Sequence, residues 1–372
     1  MRGLPKAITL AVWLVSISFL ITSPAAAASS PTEWEKTVEA AKREGQITVY
    51  TKAGYDAAFA AFQKRYPEIK INSVAGQAAD VTNRLLAERR AQKYLADVFS
   101  FGVRSTLSLL RADGLDPIRP VLLLPEVTDE SKWYDGHVYS DPEKVHVFRY
   151  LSVAEQGIGY NTKLLPNPAE IKSYLDFLNP KWKGKIVARD VRTPGPGNGN
   201  MLFWYHHREL GPSYLKKLFG EMDITLTRNA LQATDWVAQG KFAFCFFCSG
   251  EVEKAKEQGL PVEVLDVAWK EGAGIVSHSG NLALMRNAPH PNAARIFINW
   301  LLSREGQIQT QRVLAKIQPA DSRRTDIPKD DVPPDVRRKE GIRYVDMDSR
   351  PEYSDIEPVR KLLNEVAKEA KK

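Results

Sequence analysis

The chain has 372 residues, 43% of them hydrophobic and 26% charged, with a formal net charge of +7. That length exceeds what one hydrophobic core usually holds and points to two domains, while the positive excess forms no clustered stripe or nucleic-acid-binding module, which sets nucleic acid aside as a partner. With only two cysteines, Cys245 and Cys248, a disulfide-stapled miniprotein is excluded and the fold must rest on its core.

The amino terminus reads as a signal peptide over 1–28. Arg2 and Lys6 precede an apolar stretch over 7–21, and an alanine-rich A-x-A-type segment ends near Ala28. Ser16, Ser18, Thr22 and Pro24 argue against a single anchor helix at this end. No cysteine sits near the cut, so the exported protein is expected to carry no lipid anchor. Without Arg2 and Lys6 the net charge falls to about +5 (7 − 2).

After the leader, apolar positions at helical spacing predict a helix over 34–44, stopped by Gly45. A strand follows over 46–50, then a helix over 55–66 with Phe59 and Phe62 on its apolar face, stopped by Pro67. Strands over 69–74 and 96–101 flank a helix over 79–92. This alternation describes βαβ units and a mainly parallel sheet. The pattern breaks over 117–139, rich in Pro, Asp and aromatic residues, and extended segments over 145–151 and 157–161 follow. A second α/β block runs over 180–267, with strands at 184–189 and 242–247, a Gly-rich loop over 193–200, and helices from Met201, Asn229 and Gly250. A strand over 281–285 and a helix over 291–302 come next. The Pro- and charge-rich stretch 321–335 reads as a surface excursion, and 359–372 as a charged terminal helix with a solvated face.

Several segments together resemble the extracellular solute-binding proteins of ABC importers, in the bilobal type 2 periplasmic class, and most nearly its ferric-iron-binding branch. They are Phe59-Ala-Ala-Phe-Gln-Lys-Arg-Tyr-Pro67, Arg84-Leu-Leu-Ala-Glu88 with Ala96-Asp-Val98, Gly157-Ile-Gly-Tyr-Asn161, Val237-Ala-Gln-Gly-Lys241, and Asn287-Ala-Pro-His-Pro-Asn-Ala-Ala294 running on to Ser303-Arg-Glu-Gly-Gln307. The resemblance covers nearly all of the chain after the leader. It implies an α/β fold of two lobes with mixed or parallel sheets and an interlobe hinge. Lobe one would take 29–150 and return over 271–320, lobe two would take 151–270, and 321–372 would form an excursion and helices packing across the lobes. It also implies delivery of a small solute to ABC permease membrane subunits, by a protein expected to act as a monomer in the periplasm, without a cofactor.

Open parallel sheets bind ligands beyond the carboxyl ends of their strands, and helix amino termini there favour anions. The expected ligand-facing residues are Lys52, Tyr55, Gly76, Gln77, Gly102 and Arg104 from lobe one, Arg189, Asn198, Arg228, Ser249 and Glu251 from lobe two, and His278 from the return. Each basic residue among them also reads as a surface group or an interlobe partner. Glu251 reads equally as a carboxylate favoured by its helix dipole, and His278 as a solvated loop residue. Tyr55, Phe101 and Tyr160 could pack on a ligand's apolar body or on the core beneath the cleft.

Ferric-binding members hold iron with tyrosinates that include an adjacent pair. That pair's place falls at about Gly250-Glu251, no Tyr-Tyr occurs anywhere in this chain, and Thr51-Lys-Ala-Gly-Tyr55 stands where an early histidine would be. A small anionic organic solute is therefore expected, with ferric iron held by other donors as the alternative. No metal-binding residue is assigned, and His206 and His207, adjacent on a helix, point to different faces. An exported enzyme is a further alternative, but no G-x-S-x-G, H-E-x-x-H or P-loop pattern occurs, and a sensory ectodomain would need a second membrane span that does not follow. Cys245 and Cys248 could bridge if the strand ends near Phe246 and turns at Ser249; free thiols remain the other possibility.

Overall fold

In a computed structural model describing residues 32–193 and 197–369, the first βαβ run becomes a six-stranded sheet. The leader expected over 1–28 lies outside the described residues, as do positions 194–196 of the Gly-rich loop. The sheet order is Lys70–Gly76, Gln46–Lys52, Val98–Phe101, Asn281–Met285 and Leu115–Asp116, with Val147–Arg149 also paired to Asn281–Met285. The first three strands are parallel, and Asn281–Met285 returns antiparallel.

Local chemistry sets the helix ends around this sheet. Helix Glu33–Glu44 opens on a capping box between Thr32 and Glu35 and closes on Gly45 in the left-handed region. Helix Pro291–Leu302 begins with proline, whose missing N–H would have had no partner in the first turn anyway. Phe62 from helix Phe59–Arg65 meets Phe297 and Trp300 edge-on at centroid distances of 5.2 and 5.4 Å. Each such buried aromatic contributes roughly 1.5–3 kcal/mol by leaving water.

Lobe two is a five-stranded sheet in the order Val262–Val264, Ile158–Asn161, Phe244–Phe246, Ile186–Arg189 and Thr225–Thr227, the last three mutually parallel. Its core is aromatic: Tyr174 stacks on Trp269 at 4.2 Å and meets Trp204 edge-on. Helix Glu357–Glu369 buries Val359, Leu362, Leu363 and Val366 against helix Gly211–Glu221. The terminal helix therefore docks on lobe two and not across both lobes, because its apolar stripe has one matching face.

A third sheet forms the hinge, in the order Asp321–Ser322, Leu151–Glu155, Ala273–Val276 and Tyr344–Asp346. Leu151–Glu155 leads out of lobe one toward Ile158–Asn161. Ala273–Val276 runs back beside it, with Val276 opposite Val153, toward Asn281–Met285. The expected two α/β lobes crossed by strands near 147–160 are thus present.

The stretch 321–335 corrects an expectation. It is only in part a surface excursion: Asp321, Ser322, Arg323, Arg324, Ile327, Val332 and Asp335 are buried, while Thr325, Pro328, Asp330 and Asp331 are exposed. Asp321 and Arg324 are tolerated inside because each finds oppositely charged partners. Asp321 accepts from Arg338 Nε at 2.8 Å and pairs with Lys329 at 2.7 Å. Arg324 forks onto Asp326 with two bonds of 2.8 Å and donates to the carbonyls of Glu126 and Leu302.

Candidate ligand-binding cleft

The strand registers place the cleft. In lobe one, Lys52 lies opposite Gly76, and Thr51 opposite Ser100, so Lys52, Gly76 and the Gly102 turn share one sheet edge. Asn281 pairs with Phe101, which brings loop residues 277–280 to the same edge. In lobe two, Phe246 pairs with Ala188 and Arg189 with Thr227, so Arg189, Arg228 and the turn at Phe247–Cys248 share the carboxyl edge of three parallel strands.

Between the lobes, beside the hinge, lies a cavity of about 370 Å³. Of the expected residues, Asn198, Ser249 and His278 line it, together with Glu155, Gln156, Gly199, Asn200, Phe247 and Asp335. Helices Asn198–His206 and Ser249–Glu257 both begin at its wall. Phe247 and His278, one from each lobe, hold φ of +66° and +47°. Such backbone is costly for large side chains and tends to persist where a site demands it.

A directional hydrogen-bond chain reaches the cavity from lobe one. The Lys52 ammonium donates to Gln318 Oε1, which leaves Gln318 Nε2 to donate to His278 Nδ1 at 3.0 Å. His278 Nε2–H then donates to Glu155 Oε1 at 3.4 Å. The lysine, which has no acceptor capacity, thereby orients the amide and the imidazole tautomer in turn. Partial burial lowers the Lys52 pKa.

The other expected residues lie elsewhere. Tyr55 is 3% exposed in the lobe-one core, and burial pushes its hydroxyl up to about 12. Phe101 is also core, and Tyr160 faces a different groove with Pro168 and Lys172. Gly76 and the exposed Gln77 precede helix Ala78–Arg90 at the cleft edge, and Gly102 caps helix Val103–Arg111 against the His278 carbonyl. Arg104 donates to the Ser354 carbonyl at 3.0 Å, joining lobe one to the segment beside the terminal helix. Glu251 pairs with Lys254 of its own helix at 3.2 Å. Asp190 takes a fork from Arg192, at 2.7 and 2.8 Å, that holds its carboxyl below the usual range. Among the described residues, Arg189 and Arg228 have no such ion-pair partner within 4.0 Å.

Glu155, Gln156 and Asp335 were not expected in the cleft, whereas Asn200 closes a loop that was. Asn200 sits two positions beyond Asn198 on the Gly-rich loop, and Glu155-Gln156 adjoins the predicted crossing at Gly157. Asp335 carries no local signal, since it arrives from the far end of the chain.

Phe244–Phe246 ends before the positive φ of Phe247, and the chain turns there into helix Ser249–Glu257. Cys245 and Cys248 thereby come to a Cα separation of 6.1 Å with their sulfurs joined, within the range a disulfide spans. Intact mass after alkylation without reductant should show no added label. Two labelled thiols in freshly purified protein would contradict the bridge.

Two α/β lobes, a strand-crossed hinge and a polar cleft define a bilobal solute-binding protein. The chain belongs to the bacterial extracellular solute-binding protein family, whose family model matches residues 48–308. Solved structures of periplasmic proteins share the fold. The Actinobacillus pleuropneumoniae binding protein AfuA, with fructose-6-phosphate bound, is 20% identical, covers 88% of this chain and 99% of its own, and has a TM-score of 0.52. The Trichodesmium protein IdiA (FutA), with iron and citrate, is 19% identical over 87% and 99%, with a TM-score of 0.60. Mannheimia haemolytica ferric iron-binding protein A, in an open conformation, is 14% identical over 87% and 98%, also at 0.60. This chain is accordingly the substrate-binding component of an ABC transporter, within a family of binding and not catalytic proteins. Among the described residues no helix is long and apolar enough to cross a membrane.

Proposed function

We propose that this chain is exported to the periplasm by its leader, without a lipid anchor, and acts there as a monomer that captures a small anionic organic solute in the interlobe cleft for its permease. The observation that carries the anionic reading is the pair of arginines, Arg189 and Arg228, on one lobe-two strand edge with no ion-pair partner among the described residues. Guanidinium forks match carboxylate and phosphate oxygens. Lobe closure would strip water from the solute, and fixed donors must then meet its charge.

Ferric iron remains the competing cargo, since relatives of the same fold bind it. Hard Fe(III) requires a set of anionic oxygen donors. Glu251, where the tyrosine pair would fall, is engaged by Lys254, and among the described residues no three His, Cys, Asp or Glu side chains converge on one point. Thermal-shift screening of carboxylates, phosphonates and phosphate esters against ferric citrate separates the two. The anionic reading expects a raised Tm with at least one organic anion and none with iron. An intense visible phenolate-to-iron band, with one iron per chain and no anion response, would overturn it.

A further inference from the structure

The hinge cavity carries more negative charge than an anion site should. Glu155 and Asp335 both line it. The Glu155 contact is the His278 imidazole, and among the described residues neither carboxylate has a lysine or arginine within 4.0 Å. The nearest lysine on the 333–339 segment, Lys339, is occupied by Asp266 at 2.7 Å and by the Val267 carbonyl at 2.9 Å. Asp335 is 6% exposed. Its burial raises the carboxyl pKa, and Glu155 adds to the rise, against the opposing pull of the Ser249 hydroxyl and the more distant Lys339.

Unpaired acceptors stand beside these carboxylates. Gln156 is 1% exposed, and its Nε2 is fixed by two carbonyls, Pro334 O at 3.3 Å and Arg337 O at 3.2 Å. The amide therefore cannot be turned over, and among the described residues Gln156 Oε1 is a buried acceptor with no partner. Among the described residues Asn198 Oδ1, and also the donor Asn200 Nδ2 of the same cavity, are likewise unpartnered. An acceptor left unsatisfied in this way is destabilising until something donates to it.

Two glycines bring backbone close to the carboxylates. A Cβ at Gly199 would stand 2.8 Å from Glu155 Oε2, and one at Gly157 would stand 3.1 Å from Asp335 Oδ2 and 2.6 Å from Ser249 Oγ. Any larger residue at either position would have to displace the acid side chain or its serine partner.

We propose that this cavity is a subsite for a protonated amine, held by Glu155 and Asp335 with Gln156 Oε1 and Asn198 Oδ1 as further acceptors, so that the solute carries an ammonium group as well as an anionic one. An ammonium offers three donors and one positive charge, which matches two unpartnered acceptors beside two carboxylates that have no lysine or arginine within 4.0 Å among the described residues. That leaves Asn200 Nδ2 free to donate to another part of the solute. A metal ion would need converging ligands, and among the described residues no three acidic, histidine or cysteine side chains converge. The amine half of this inference stands on the cavity itself. The anionic half rests on the reading of Arg189 and Arg228 above.

The test is calorimetry on the full exported chain with four probes: O-phosphoethanolamine, ethyl phosphate, glycerol 1-phosphate and ethanolamine. O-phosphoethanolamine should bind at least about tenfold more tightly than ethyl phosphate. Glu155→Gln and Asp335→Asn, each checked for an unchanged circular dichroism spectrum, should bring it down to the affinity of ethyl phosphate. Should Asp335→Asn not fold, Glu155→Gln alone decides. Ethanolamine binding that falls in Glu155→Gln but not in Arg189→Ala would uphold the amine subsite and refute the anionic reading. Equal affinity for the aminated and plain phosphates, a preference for glycerol 1-phosphate, a gap that survives both substitutions, or no binding of either amine would overturn the subsite.

Discussion

Arg189→Ala and Arg228→Ala are each expected to weaken solute binding about 30-fold or more, corresponding to roughly 2 kcal/mol or more for losing one partner of a desolvated, hydrogen-bonded charge pair. The two side chains extend from the carboxyl ends of neighbouring parallel strands, Ile186–Arg189 and Thr225–Thr227. Neither has an ion-pair partner within 4.0 Å among the described residues, and Arg228 acts on Asp190 only at longer range. Lobe closure on the proposed anion would exclude water, so truncation would leave it facing one donor fewer with no solvent to replace it. Arg189→Lys should recover part of the loss, since the charge returns while the planar fork does not. Lys217, exposed on helix Gly211–Glu221, provides the control: Lys217→Ala should leave calorimetric affinity unchanged. Affinity unaltered in both arginine variants would remove the basis for an anionic solute.

The largest expected effect on stability lies at the hinge. Asp321, 1% exposed, receives Arg338 and Lys329 on its two oxygens. Asp321→Ala would leave both cations facing each other in a buried site, at a cost of roughly 3–5 kcal/mol. Denaturant titration should show a lower midpoint at an unchanged slope. The same residue sets part of the acid limb. Burial alone would raise its carboxyl, but Arg338 and Lys329 more than offset that and hold its pKa below the usual value. A carboxyl depressed on folding stabilises above its unfolded pKa of about 3.9 and loses that contribution as pH falls through the lower folded value. Stability of the wild type should therefore fall steeply below about pH 4, and Asp321→Asn should be less stable at neutral pH with a shallower acid loss. An acid limb identical in the two proteins would contradict the assigned pairing.

Most of the architecture was legible from local signals. Phe59 and Phe62 at helical spacing, Gly45 and Pro67 as stops, and Pro291 at a helix start each act within a few residues, so they read correctly without tertiary knowledge. Carboxyl strand ends could likewise be located, so Lys52 and Arg189 do end parallel strands, and His278 lines the hinge cavity. Charge was the poor guide. The stretch 321–335 looked solvated because its composition is polar, yet its partners are Glu126, Leu302 and Arg338, which no local pattern announces. Tyr55 was read as a cleft residue from its loop, and packing against the lobe-one core decided otherwise. Glu155 and Asp335 meet only because the hinge sheet brings strand Leu151–Glu155 against residues 334–337. That juxtaposition is a property of topology and not of either segment.

The most direct measurement of the central claim is a crystal structure of the protein purified without refolding and soaked with whichever anion raises its Tm most. The account predicts one solute between the lobes, its anionic group on Arg189 or Arg228 and its remaining polar groups against Asn198, His278 and the hinge cavity. A ferric ion held by oxygen donors in that place, or a solute bound on an outer face with the cleft left empty, would contradict it.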